Sequence, residues 1–147
     1  MKNNDVKKAI IGLFVLIIIF FGVSSYFKVP QLKINNLTIN LLTAKTPYAL
    51  EKGLGGRSGL LENQGMLFIY EKTGNYSFWM KGMRFPIDII WLDEGLRIVA
   101  MKEHATPDSY PEVFDPRLES RYTLEVIDGF VDKNQLKIGY VFEKNNF

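Results

Sequence analysis

The chain has 147 residues, the size of one domain, and 47% of them are apolar, enough to build a core. Its formal charge of +2 belongs to the N-terminus: from Val29 onward 14 basic residues face 15 acidic ones, so no basic field is present to hold nucleic acid. With no cysteine and one histidine, disulfides and a zinc site of Cys and His ligands are excluded.

The first predicted element is apolar. Ala9–Phe27 carries no charge and approaches the length of about 20 residues that a bilayer-spanning helix needs. Lys7 and Lys8 precede it and Lys28 closes it. We read residues 1–8 as a short cytoplasmic N-terminus and 9–27 as a transmembrane anchor. Val23 and Ser25 fit the small pair before a signal cut, but Ala-x-Ala is absent and the apolar run is long for a signal, which favours an uncleaved anchor. The lysine bias puts the N-terminus inside, so the domain faces outward from the cytoplasmic membrane in a single-pass arrangement.

Residues 28–36 read as a linker and first strand, and 37–147 as the β domain. Asn35-Asn36 separates Gln31–Ile34 from Leu37–Ala44, and asparagine tolerates positive φ, so a hairpin is expected. Thr46 then Pro47 is a helix start, with Tyr48–Lys52 as one or two turns and Gly53 as the stop. Gly53-Leu54-Gly55-Gly56-Arg57-Ser58-Gly59 lacks the Gly-Lys-Ser/Thr ending of a phosphate loop. It reads either as a tight structural loop or as an anion site of backbone amides and Arg57.

Three strands in series are expected next: Met66–Tyr70, Tyr76–Met80 and Ile87–Leu92, set between Gly, Asn and Asp clusters. Asp88 interrupts the third, on the face of Ile90 and Leu92 by strict alternation. Lys81 and Arg84 are its nearest candidate partners in sequence. Asp93-Glu94-Gly95 turns into a strand at Leu96–Lys102. His104–Glu119, with three prolines, is expected to be irregular, and Tyr110 and Phe114 could fold it back over a barrel mouth. Tyr122–Val126 is a strand with Arg121, Thr123 and Glu125 on one face. A helical turn at Phe130–Gln135 and a closing strand at Leu136–Phe142 complete the chain.

The segments GMLFIYE (65–71), YSFWMKGMRFPIDIIWLDE (76–94), GLGGRSGL (53–60) and YTLEVIDG (122–129) resemble the signature of domain of unknown function 192 (DUF 192), over nearly all of Leu41–Phe142. The resemblance implies a compact β-rich domain, usually in exported or membrane-anchored prokaryotic proteins. Its motifs include Arg57, Asp88 and Glu125 without assigning them a role.

The expected fold is therefore mainly β: a small barrel or sandwich of about eight or nine short strands with one or two short helices, preceded by a transmembrane helix. We read it as a binding domain for a small polar ligand, a glycan or an envelope protein. The candidate ligand-binding residues are Arg57, Trp79, Lys81, Asp88 and Glu125. No motif calls for a cofactor or a metal. One alternative is a cell-envelope hydrolase using Asp88 and Glu125 as paired carboxylates. A second is a structural component of a membrane complex, joined through the anchor.

Overall fold

The computed structural model describes residues 3–24 and 29–145, with side chains for 6–18 and 29–145. Helix α1 spans Asn3–Ser24. The apolar side chains of its described part, Ile10 to Ile18, are exposed. Among the described residues no helix is long and apolar enough to cross a membrane. The second half of the expected anchor, from residue 19 to Phe27, lies outside the described side chains.

The rest of the described residues are mainly β, with nine strands. They are β1 (Gln31–Ile34), β2 (Leu37–Ala44), β3 (Gln64–Gly74), β4 (Phe78–Trp79), β5 (Ile87–Leu92), β6 (Ile98–Ala105), β7 (Val113–Phe114), β8 (Ser120–Ile127) and β9 (Glu143–Asn145). Two short helices join them, α2 (Pro47–Lys52) and α3 (Phe130–Lys133). Seven strands form one sheet in the order β6-β5-β8-β3-β2-β1-β9, and β4 pairs only with β7.

Local chemistry explains the turns. Asn35 takes φ +50° in the β1–β2 hairpin. Thr46 accepts a bond from the Ala49 amide, Pro47 opens α2, and Gly53 ends it at φ +50°. After β5, Asp93 Oδ1 accepts from the amides of Gly95 and Arg97. The segment containing α2 crosses over to make β2 and β3 a parallel pair.

The sheet is neither a sandwich nor a closed barrel. β6 and β9 remain its edges, yet its ends approach each other: Arg97 bridges Val141, Ile98 N donates to Tyr140 O, and Phe142 N donates to Leu96 O. Leu136–Phe142, expected as a strand, is thus an irregular seam. Gly139 in it takes φ +90°, which breaks any regular ladder there.

Both faces of the sheet are buried. One face packs Leu32, Ile39, Leu67, Ile90, Leu124 and Val126 against Phe130, Leu136 and Phe142. The other packs Met66, Phe68, Tyr70, Ile87, Ile89 and Trp91 against Leu54, Met80 and Phe114. Every side chain of β5 is therefore buried.

The Tyr76–Met80 run does not join this sheet. Only Phe78 and Trp79 are strand, pairing with Phe114 and Val113 in the Pro-rich segment. Phe114 is buried and holds that segment down, whereas Tyr110 is exposed.

Candidate functional site

Strand register decides where the two strand carboxylates point. β5 and β8 are neighbours, with Asp88 opposite Val126 and Ile89 opposite Glu125. Directly paired residues share a face and successive residues alternate, so Asp88 and Glu125 point to opposite sides of the sheet. They do not form a pair.

Asp88 is 0% exposed. Its Oδ1 accepts the His104 amide at 3.0 Å and its Oδ2 accepts the Val131 amide at 2.9 Å. The second bond satisfies one of the free amides at the start of α3, so Asp88 pins that helix over the end of the core. Neither Lys81 nor Arg84 is its partner. The partners are backbone groups distant in sequence, which proximity along the chain could not reveal.

His104 sits above this junction. Its Nδ1 lies 2.7 Å from Asp128 Oδ1 and its Nε2 lies 3.4 Å from Asp132 Oδ2. The hydrogen bond to Asp128 raises the pKa of this imidazole. Asp88, His104 and Asp128 could bring one ligand atom each within 4.8 Å of one another, as could Glu103, His104 and Asp132. Both Asp88 oxygens are engaged by amides, however, and His104 is itself engaged by Asp128, just ahead of α3, and by Asp132 within it.

On the opposite face Glu125 is 4% exposed, and its Oε2 has no hydrogen-bond partner among the described residues. Burial pushes its pKa up to about 8, against a bond from the Leu54 amide that pulls it down. The carboxyl is therefore largely protonated at neutral pH.

Glu125 lines a cavity of about 350 Å³. The buried part of the lining comes from Leu54, from Phe68 and Tyr70 of β3, and from Glu125 itself. The exposed rim carries Glu51 and Lys52 of α2, Trp79 of β4, and Lys81. Trp79 is 45% exposed, and the Lys81 ammonium lies 5.5 Å from its ring. Tyr70 and Tyr76 stack at 3.5 Å with an interplanar angle of 9°. Phe78 meets Phe68 edge-on at 4.9 Å.

The Gly-rich loop makes room for this cavity. A Cβ on Gly53 would come within 3.1 Å of Phe68 Cζ and 3.6 Å of Glu125 Oε2. Gly56 N donates to Gly82 O, tying the loop to the Lys81–Met83 segment. The Pro-rich segment braces the other wall: Asp115 accepts from Asn75 Nδ2 at 2.9 Å and from Arg117 N at 2.8 Å. The bond from Arg117 N, then that from Asn75, holds the Asp115 carboxyl below its ordinary pKa.

Of the five residues predicted from sequence, Trp79, Lys81 and Glu125 come together at this cavity. Arg57 is exposed and does not line it, and Asp88 faces away. The tyrosine pair and Gly53 were missed as site residues. Tyr70 reads as an ordinary core position, and Gly53 as a helix stop.

A family model, that of DUF192, described as Uncharacterized ACR, matches residues 30–143. Among functionally curated proteins no relative matches the chain. Two crystal structures share the fold. A Sinorhizobium meliloti 1021 protein, described as a candidate transcription regulator, is 26% identical with a TM-score of 0.72, over 78% of this chain and 91% of that one. A protein of unknown function from Novosphingobium aromaticivorans DSM 12444 is 23% identical with a TM-score of 0.72, over 78% of this chain and 83% of that one.

Proposed function

The chain belongs to the DUF192 family, and from that premise we propose that its β domain binds a small ligand in the Glu125 cavity, at the outer face of the cytoplasmic membrane. One observation carries the reading. A buried carboxyl with an unpartnered oxygen faces a cavity of about 350 Å³, inside the size range of small-molecule sites. Burying such an oxygen without a partner costs about 1–3 kcal/mol, a cost that a bound ligand can offset. Trp79 at the rim supplies an aromatic surface for the same ligand.

Membrane attachment rests on the uncharged Ala9–Phe27 run between its lysines. Transcription regulation, suggested by the description of the Sinorhizobium protein, is not adopted, because the domain has no basic excess to hold DNA. A paired-carboxylate hydrolase is not adopted either, because Asp88 and Glu125 occupy opposite faces of the sheet.

Two measurements test the reading. In a thermal-shift screen of small acids, sugars and nucleosides, at least one compound should stabilise the protein and lose that effect in both Trp79→Ala and Glu125→Leu. A screen whose hits are unaffected by either substitution would place binding elsewhere. Alkaline extraction of membranes should leave the full chain in the pellet, and release into the supernatant would overturn the anchor.

A further inference from the structure

We propose that the Glu125 cavity selects a flat organic acid of mixed polarity. Its unsaturated body lies against the aromatic lining, a neutral hydroxyl or carbonyl end meets Glu125 Oε2, and its carboxylate stays at the rim beside Lys81. This deepens the ligand-binding reading and rests on it.

Asn75 and Ser77 line the cavity at exposed positions, whereas the deeper lining uses up nearly all of its own polar side-chain groups. Tyr70 OH donates to Thr123 Oγ1 at 3.1 Å, and Tyr76 OH donates to Lys72 O at 2.8 Å. Both phenol protons are thereby engaged within the fold. Leu54 and Phe68 offer no polar side-chain atom. The buried part of the lining thus presents one unused polar side-chain atom, Glu125 Oε2.

That inventory discriminates between ligand classes. A sugar carries a hydroxyl on nearly every carbon, and this floor would leave most of them unpaired, each at the cost of its lost water bonds. A hydrocarbon would leave Glu125 Oε2 unpaired in turn. A ligand with one inward polar group satisfies both sides. Its body should be flat, because the stacked tyrosines and the Phe68 and Phe78 rings give a lining of ring faces and edges.

The rim sets the charge. Lys52 and Lys81 stand there against Glu51, and among the described residues neither lysine has an ion pair. Lys81 lies over Trp79 and Lys52 over Tyr48, so both ammonium groups are held on aromatic rings near the opening. Two cations against one exposed carboxylate favour an anionic group at the mouth. A carboxylate placed inward would give up its water on a floor that offers it one polar group, whereas at the mouth it stays hydrated beside the lysines.

The probe is 4-hydroxybenzoate, with benzoate and 4-hydroxybenzyl alcohol as controls lacking the inner hydroxyl and the outer carboxylate. Binding is measured by calorimetry on the full chain in detergent at mildly acidic pH. 4-Hydroxybenzoate should bind about tenfold more tightly than either control, the scale of one hydrogen bond or charge contact. Glu125→Leu should erase its advantage over benzoate and leave its advantage over the alcohol. Lys81→Ala should do the reverse, and because Lys81 is exposed this variant keeps the fold. Equal binding of acid and alcohol would overturn the proposal, as would an advantage indifferent to both substitutions. If glucose or adenosine binds in a Glu125-dependent way while the acids do not, the cavity is a site and the proposed ligand class is wrong. If no compound responds to either substitution, the site reading falls as well.

Discussion

Asp88 and Glu125 sit on adjacent strands, one position out of register, and both are buried. Their surroundings differ in one respect. Asp88 has an amide donor for each oxygen, and both donors belong to the fold itself. Glu125 is left with an oxygen that the protein does not satisfy. A closed set of bonds holds structure together, whereas an open one leaves a place for something from outside.

The sharpest way to break this comparison is Asp88→Ala. It strands two amides and frees the start of α3, and should cost roughly 3–5 kcal/mol in denaturant unfolding. A loss below about 1 kcal/mol would mean that these bonds are not holding the helix.

The second test is pH. Glu125 has a folded pKa of about 8, above its ordinary value of 4.5. The folded state thus keeps a proton that the unfolded chain releases. This contribution to stability is fully present below about 4.5 and is lost as pH rises through about 8. The loss should be on the order of 5 kcal/mol across that window. Glu125→Gln should flatten the profile, which a denaturation series over pH would show directly. An unchanged slope would assign the effect to another group.

Gly53→Ala comes next. It forces a side chain into φ +50° and toward the Phe68 ring. We expect a loss of about 1–2 kcal/mol. Ligand response at Glu125 should fall with it, while the Asp88 junction stays intact.

The smallest effect concerns His104. Asp128 raises its pKa, so its contribution is present below the ordinary histidine value and fades as pH rises through the folded one. NMR titration of the imidazole should show a raised midpoint that returns toward normal in Asp128→Asn.

Much of the chain was legible because its signals are local. The Asn35-Asn36 hairpin, the Thr46 cap and the turn at Asp93 each depend on a few adjacent residues. Alternation also placed Asp88 with Ile90 and Glu125 with Thr123. It could not say whether the two carboxylates share a face, because that depends on the parity of pairing between strands far apart in sequence. The same non-local choice sent Phe78 and Trp79 to the Pro-rich segment instead of the main sheet, and left Leu136–Phe142 as a seam. Arg57 was drawn in by its glycine neighbours, which serve the backbone: a Cβ on Gly55 would fall 2.8 Å from Lys52 O, and Gly56 takes φ +80°.

The β4–β7 ribbon consists of two residue pairs, and it carries Trp79 at the rim of the cavity. The seven-stranded sheet behind it is held by far longer ladders. Amide protons of Phe78 and Trp79 should therefore exchange with solvent well before those of β5 and β8. The cavity would breathe along that one wall, and a guest could come and go while the sheet behind it stays shut.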